Sequence, residues 1–300
     1  MPLPPLADPR DTVSRVKNLC RAVPISGFLF STLMLGNLSQ TASLAVKPFS
    51  RRAFRRINRE VADNWWGQCV TLSRWLNKAH IIVTGDHVPM RENAVVLANH
   101  QQMPDITYLM MFARTRDRLG DLKWFVKNQL KYVPGVGWGM VFLDCLFVKR
   151  DWAEDEGSIQ RTFAGIVQDR VPLWLILFAE GTRFSPEKLE RSRVYAEERG
   201  LRPTEHVLQP RTKGFVASVQ GLRGHIDAVY DVTIGYEVGV PTLWQFIKGL
   251  SDVAHLHVHR TPIAQMPRTD EELTDWIHQR FQAKDQLLAH FYRHGSFPER

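Results

Sequence analysis

The chain has 300 residues, 44% of them hydrophobic and 23% charged, with a formal net charge of +8. This composition excludes collagen, a coiled coil, a disordered tail and a multi-span membrane protein, and the length suits one large globular unit or two modest ones. Cys20, Cys69 and Cys145 are far apart and form no C-x-x-C pair, which argues against a disulfide scaffold or zinc finger and for a reducing compartment.

The basic excess is concentrated at one end. Residues 1–60 hold ten Lys/Arg against three Asp/Glu, a net of +7, while residues 61–300 hold 29 against 28, a net of +1. The same region carries a run of 25 uncharged residues, Ala22 to Val46. At about 1.5 Å per residue a helix of that length reaches across a bilayer. Its second half is polar for that task, with Asn37, Ser39, Gln40, Thr41 and Ser43. A cleaved signal peptide is disfavoured, because Arg51, Arg52, Arg55, Arg56 and Arg59 follow at once and resist translocation. Arg10, Arg15, Lys17 and Arg21 precede the run, so the positive-inside rule places both flanks on the cytoplasmic side. The expectation is a re-entrant or interfacial helix rather than a crossing one.

Phe54, Ile57, Val61, Trp65, Leu72 and Leu76 then recur at helical spacing, with the arginines mostly on another face. Trp65, Trp66 and Trp75 suit the headgroup layer, although a core helix with a solvated basic face has the same pattern. Nucleic-acid binding is not expected, since aromatic and basic residues do not interleave elsewhere. Residues 1–76 are therefore read as an N-terminal membrane-associated helical region, and residues 77–300 as a separate domain.

From residue 80 the pattern alternates. Strands are predicted at Ile81–Thr84, Ala94–Ala98, Lys123–Val126, Leu146–Val148, Leu173–Phe178, Val207–Gln209, Asp227–Ile234 and Ala254–His259. Helices are predicted at Asp105–Arg118, Glu154–Asp169, Pro186–Arg199, Thr212–Leu222 and Asp270–Arg293. Such alternation predicts an α/β fold with a mixed, largely parallel sheet flanked by helices. Pro134-Gly135-Val136-Gly137-Trp138-Gly139 is Gly-rich without matching the dinucleotide fingerprint, and reads as a tight connection or a surface beneath an acyl chain. His255, His257 and His259 share one strand face; an exposed sheet face is the favoured reading over a metal site.

Four strand ends carry chemistry. Asn99-His100-Gln101-Gln102-Met103-Pro104-Asp105 follows a buried strand and opens a helix, where ligands sit in α/β sheets. A turn there lets Asp105 accept from one nitrogen of His100 and leaves the other free to take a proton, which is general-base geometry. In Phe178-Ala179-Glu180-Gly181-Thr182-Arg183, Gly181 permits a tight turn, Arg183 offers a planar fork for phosphate, and Glu180 is suited to orient an Arg or a ligand hydroxyl. Lys149 and Arg150 end a third strand, and Pro210-Arg211-Thr212-Lys213-Gly214 opens a helix with cations. Each alone is equally an ordinary turn; together they describe an anion site beside a base. No G-x-S-x-G elbow and no Walker A sequence occur, and no metal site is expected.

The order Asn-His-x4-Asp, Phe-x-x-Arg, Glu-Gly-Thr-Arg resembles the glycerolipid acyltransferase family, in particular 1-acylglycerol-3-phosphate acyltransferases and their lysocardiolipin acyltransferase branch. The likeness continues through Leu208–Phe215, Ala228–Thr233 and His257–Arg260, covering about residues 80–298. It implies transfer of an acyl group from acyl-CoA or acyl carrier protein to the sn-2 hydroxyl of 1-acylglycerol-3-phosphate, without a resident cofactor. Another lysophospholipid acceptor and a non-catalytic membrane-binding protein are the alternatives; intact His100, Asp105, Glu180 and Arg183 argue against the latter. By the same resemblance His100 is the base and Asp105 orients it, while Asn99, Arg150, Glu180, Gly181, Thr182, Arg183 and Lys213 bind substrate. Where many relatives have a proline-centred fourth motif, this chain has Tyr230-Asp231-Val232-Thr233. The implied partner is a membrane phospholipid surface, with the site facing the cytoplasm. The C-terminal hydrophobic spans of some eukaryotic relatives are absent from the sequence, which favours a bacterial inner membrane over the endoplasmic reticulum.

Overall fold

The computed structural model describes residues 3–149 and 151–298. It opens with a helical hairpin. Helix α1 (Thr12–Ser43) starts well before the uncharged run, because Asp11 caps it by accepting from Ser14 N at 2.7 Å. Its length is about 48 Å at the helical rise, and it is long and apolar enough to cross a membrane by those criteria alone. Its polarity is inverted relative to a soluble helix. The buried residues are Ala22, Asn37, Gln40 and Ser43, while Val16, Val23, Phe30, Leu35 and Leu38 are exposed. Asn37 Nδ2 donates to Gln40 Oε1 at 3.1 Å. Asn37, Gln40 and Ser43, three of the polar residues that make the run a poor span, thus face protein, whereas Ser39 and Thr41 are exposed and donate to the helix's own carbonyls, and large apolar side chains face outward.

Helix α2 (Arg51–Asn77) is capped by Ser50, whose Oγ accepts from Ala53 N at 3.1 Å. Its buried residues step mostly by four: Phe54, Asn58, Ala62, Trp66 and Val70. Of the expected stripe of Ile57, Val61 and Trp65, one position over, Ile57 is exposed while Val61 and Trp65 meet α1. Trp65 Nε1 donates to Leu29 O at 3.0 Å, and a Cβ on Gly36 would touch Val61 Cγ1 at 3.3 Å. A helix with two partners needs two adjacent buried faces, which a single-stripe reading misses. Asn58 Nδ2 also donates to Ser43 Oγ at 3.0 Å, joining the two helices. Arg55 pairs with Asp144 at 3.0 Å and with Asp169, and Arg59 pairs with Asp121 at 2.6 Å. Two of the five arginines therefore fasten the hairpin to the rest of the chain, while Arg51, Arg52 and Arg56 remain exposed.

Among the described residues one seven-stranded sheet follows. Its strands are β1 (His80–Gly85), β2 (Ala94–Ala98), β3 (Leu122–Lys127), β4 (Leu146–Val148), β5 (Trp174–Leu177), β6 (Ala228–Gly235) and β7 (Val253–Pro262), in the order β1-β7-β6-β2-β5-β3-β4. Pairing is parallel except between β6 and β7. All five residues of β2 are buried, as a strand covered on both faces requires. One face packs on α2 and on α3 (Pro104–Thr115) through Trp66, Tyr108 and Phe112. The other packs on α5 (Trp152–Gln168), α7 (Thr212–Leu222) and α9 (Asp270–His294) through Phe163, Phe215 and Phe281. Helix α6 (Pro186–Glu198) is capped by Ser185.

Three expectations need correction. Residues 207–209 are buried but form no strand. Side chains take their backbone groups instead: Glu180 Oε2 accepts from Leu208 N at 3.4 Å, Ser192 Oγ accepts from Gln209 N at 2.8 Å, and Thr204 Oγ1 donates to Val207 O at 2.7 Å. With those groups satisfied no ladder forms. The Gly-rich segment is no mere connection: it opens α4 (Val136–Phe142), with Gly135 at φ +84°. A Cβ on Gly135 would sit 2.7 Å from Met34 and 2.8 Å from Leu33, so glycine lets α4 close on α1. The histidines of β7 share no uniformly exposed face: His255 is buried against Phe291 of α9 and His257 packs on Phe297, just beyond α9, while the His259 side chain stays 44% exposed.

Candidate active site

Strands β2 and β5 are neighbours in register, Leu97 opposite Leu177, so their carboxyl ends leave the sheet side by side. Two sequence motifs more than 70 residues apart are thereby laced together. His100 N donates to Glu180 Oε1 at 2.9 Å, and Phe184 N donates to His100 O at 2.8 Å. The His100 ring stacks on Phe178, centroids 4.0 Å apart and planes 17° apart. Phe178 in turn faces Trp124 at 6.3 Å.

Pro104 stands at the start of α3, where its fixed φ suits the first turn, and Asp105 follows it fully buried. Asp105 Oδ2 accepts from His100 Nδ1 at 2.9 Å, from Gln101 N at 2.7 Å and from Gln102 N at 2.9 Å. Tyr236 OH donates to Oδ1 at 2.5 Å. A carboxylate only accepts, so Nδ1 carries the proton and Nε2 is the basic nitrogen. Nε2 makes no hydrogen bond to any described residue, and 12% of the side chain is exposed to the crevice.

The other predicted residues divide into braces and cations. Asn99 is buried; its Oδ1 accepts from Ile234 N at 2.7 Å and its Nδ2 donates to Ile234 O at 3.1 Å. It ties the end of β2 to β6 rather than facing the crevice. Glu180 is also buried, and its two oxygens accept backbone N–H groups of His100 and Leu208. Burial pushes its carboxyl up to about 8, against the lowering effect of those two donors. Neither orients an arginine. Gly181 adopts φ +67°, and a Cβ there would meet the Arg211 side chain at 3.0 Å. Thr182 Oγ1 accepts from Lys188 Nζ at 2.8 Å. Arg183 is exposed and donates to Gln102 Oε1 at 2.7 Å, which brings it to the His100 loop. Lys213 is exposed on the first turn of α7. Arg150 lies outside the described residues; Lys149 pairs with Glu154 at 2.7 Å.

Sequence reasoning missed Phe178 as the platform of the imidazole, Lys188, Tyr236 and the placement of Arg211 over Gly181. Arg211 has a weak signal, since it stands one residue before the helix that was predicted to present cations. The partners of Arg183 and Lys188 are neutral, and no carboxylate among the described residues pairs with Arg211. The result is uncompensated positive charge beside an oriented imidazole. Among the described residues no group of three His, Cys, Asp or Glu is placed to hold a metal. His255 pairs with Glu237 at 2.6 Å, His257 with Thr84 at 3.0 Å and His259 with Asp86 at 3.3 Å.

Two clefts are distinct from this crevice. One, of only about 40 Å³, lies between α1, α2 and α4, lined by Leu33, Trp65, Trp66, Val136 and Met140. A wider one, about 530 Å³, lies at the far end of α3, by Asp63, Arg114 and Asp117. Chemistry rather than volume locates the site.

The profile of the acyltransferase family matches residues 80–237, and that of the acyltransferase C-terminus matches residues 245–300. A protein of Arabidopsis thaliana named probable 1-acyl-sn-glycerol-3-phosphate acyltransferase 5 is 34% identical over 281 residues, spanning 93% of this chain and 74% of its own. The human 1-acyl-sn-glycerol-3-phosphate acyltransferase gamma is 33% identical over 279 residues, 91% of this chain and 74% of its own. The solved structure of the 1-acyl-sn-glycerophosphate (LPA) acyltransferase PlsC of Thermotoga maritima has a TM-score of 0.54 over 91% of this chain and 97% of that one, at 18% identity, a likeness of fold. With an oriented His–Asp pair at the strand ends and these relatives over most of its length, the chain belongs to the acyltransferase family.

Proposed function

We propose that this chain acylates the sn-2 hydroxyl of 1-acylglycerol-3-phosphate to give phosphatidate, with a thioester of coenzyme A or acyl carrier protein as donor. The observation that carries the reading is the His100–Asp105 contact at 2.9 Å, with Arg183 bonded to Gln102 of the same loop. The relatives named above are acyltransferases of that acceptor.

A hydroxyl loses its proton only far above neutral pH, so attack on a thioester needs a positioned base. His100 Nε2 takes the hydroxyl proton as the oxygen bonds to the thioester carbonyl carbon. The carbon–sulfur bond then breaks, and the imidazolium returns the proton to the leaving thiolate. Asp105 holds the reactive tautomer and balances the imidazolium charge. Arg183 and Arg211 supply guanidinium groups for the acceptor phosphate, and Gly181 leaves room for the Arg211 side chain beside the turn.

The hairpin is the membrane attachment. Helix α1 runs beside α2, α4 and α8 (Leu243–Ile247), with apolar residues outward, which supports a helix lying along one leaflet, and its basic flanks favour the cytoplasmic side by the positive-inside rule. Phe49, 89% exposed at the hairpin turn, stands next to Lys47, Arg51 and Arg52, which suit anionic headgroups.

The test is a panel assay with the purified full chain, both donor types, and lysophosphatidate alongside lysophosphatidylglycerol and lysocardiolipin. Lysophosphatidate should be the preferred acceptor, and His100→Ala should lower kcat by about 10³-fold with vesicle binding unchanged. Substantial turnover by that variant would overturn the base assignment.

A further inference from the structure

Asp105 is held unevenly. Three donors converge on Oδ2, namely His100 Nδ1, Gln101 N and Gln102 N, while among the described residues Tyr236 OH alone donates to Oδ1. We propose that Tyr236 is a positioning residue of the acyl-transfer site: its hydroxyl holds Asp105 Oδ1, fixes the plane of the carboxylate and so keeps Oδ2 on His100 Nδ1. The inference rests on the reading of His100 as the base.

Several observations support it. Tyr236 is 1% exposed and follows β6 directly. The end of β6 is sewn to the catalytic loop, for Ile234 is bonded in both directions by Asn99, and Ile234 O also accepts from Gln101 Nε2 at 2.7 Å. The phenol therefore reaches Asp105 from a strand end that moves with the loop. Its ring is fixed edge-on to Tyr108 at 5.9 Å, and Tyr108 is edge-on to Phe246 at 5.4 Å. Burial first, and the Asp105 charge second, push the phenol well above its usual range, so it stays a donor whatever the pH of assay.

The contact acts on the base by simple electrostatics. A donor on Oδ1 draws carboxylate charge away from Oδ2. Without it Oδ1 is a buried carboxylate oxygen with no partner, Oδ2 becomes more negative, and the imidazolium gains stability. The carboxylate is also free to turn about its last bond. Both effects weaken the return of the proton to the leaving thiolate and loosen the tautomer. The other titratable groups around the pair are Glu180 from the turn after β5, Tyr108 from α3 and Tyr292 from α9, whose OH meets Gln101 Nε2 at 3.1 Å. Lys284 of α9 acts on Glu180 through its charge. None of these touches Oδ1.

Steady-state kinetics of Tyr236→Phe, Asp105→Asn and the double variant test this, with pH profiles of kcat/KM. Tyr236→Phe should lower kcat about tenfold, leave both KM values within about twofold, and move the acid limb upward. In the Asp105→Asn background the same change should cost no further kcat, because its route is already cut. Tyr108→Phe removes another buried phenol from the same aromatic cluster and should leave kcat and the limb in place. Incorporating 3-fluorotyrosine into the otherwise unaltered chain strengthens the donor and should move the limb downward, which covers a Tyr236→Phe protein that fails to fold. An unmoved limb in both, or additive losses in the double variant, overturns the inference. Turnover surviving in His100→Ala would instead overturn the reading beneath it.

Discussion

The catalytic turn and the N-terminal hairpin handle polar atoms in opposite ways. At the turn, Asp105 accepts four hydrogen bonds and Glu180 accepts two, from groups in the segments that leave β2 and β6 and from Leu208. In and beside the hairpin, Ser26 Oγ, Asn37 Oδ1, Asn58 Oδ1 and Gln68 Oε1 are buried without a partner, while large apolar side chains of α1 face outward. Full satisfaction specifies one geometry, which chemistry at a reacting atom needs. Loose satisfaction inside and apolarity outside suit a surface whose partner is lipid, where fit matters less than area. On the proposed reading, the strand ends carry the chemistry and the hairpin the adhesion.

Variants can break that division. After His100→Ala, the largest effect expected is that of Arg183→Ala, which should raise KM for the acceptor by about 10- to 100-fold with kcat little changed. Arg183→Lys should recover part of it. An equal loss of kcat would mean that the cation serves the reacting atoms and not only the phosphate. Next comes the hairpin. Phe30→Glu with Leu38→Glu on the outer face of α1 should reduce co-sedimentation with vesicles about tenfold, while kcat on a dispersed short-chain acceptor stays the same. If both fall together, hairpin and site are one unit.

The smallest effect on turnover concerns Glu180. Its carboxyl is raised from 4.5 to about 8 by burial. Between those values the native state keeps a proton that the unfolded chain releases, so stability declines as pH rises through that window. The melting temperature should therefore fall from pH 5 to pH 8 in the natural chain and fall less steeply in Glu180→Gln. Parallel slopes would show that Glu180 titrates as an ordinary carboxylate.

Much of this was legible in the chain. The last helix, expected at Asp270–Arg293 and found at Asp270–His294, and the buried runs of β2 and β5 stand in local order, and local order is what periodicity reads. The His100–Asp105 pair was legible for the same reason, because four intervening residues and a proline make a turn with few alternatives. The stripe of α2 was misplaced by one position because a pattern shows that a face is apolar, not how many partners share it. Residues 207–209 were misread as a strand because an apolar run does not reveal that Glu180, Ser192 and Thr204 take its backbone groups.

The first inference, a basic N-terminal segment beside an apolar run, survives in altered form. Composition alone establishes that the charge is there and that the run is uncharged. It does not distinguish Arg55 and Arg59, which turn inward to Asp144, Asp169 and Asp121, from Arg51, Arg52 and Arg56, which face outward. Nor does it connect Tyr236 with Asp105, 131 residues away, or Asn99 with Ile234 at a separation of 135. Those contacts depend on β6 lying next to β2 in the sheet. Strand order is a property of the whole chain's packing, so only the folded molecule reveals which distant groups complete the site.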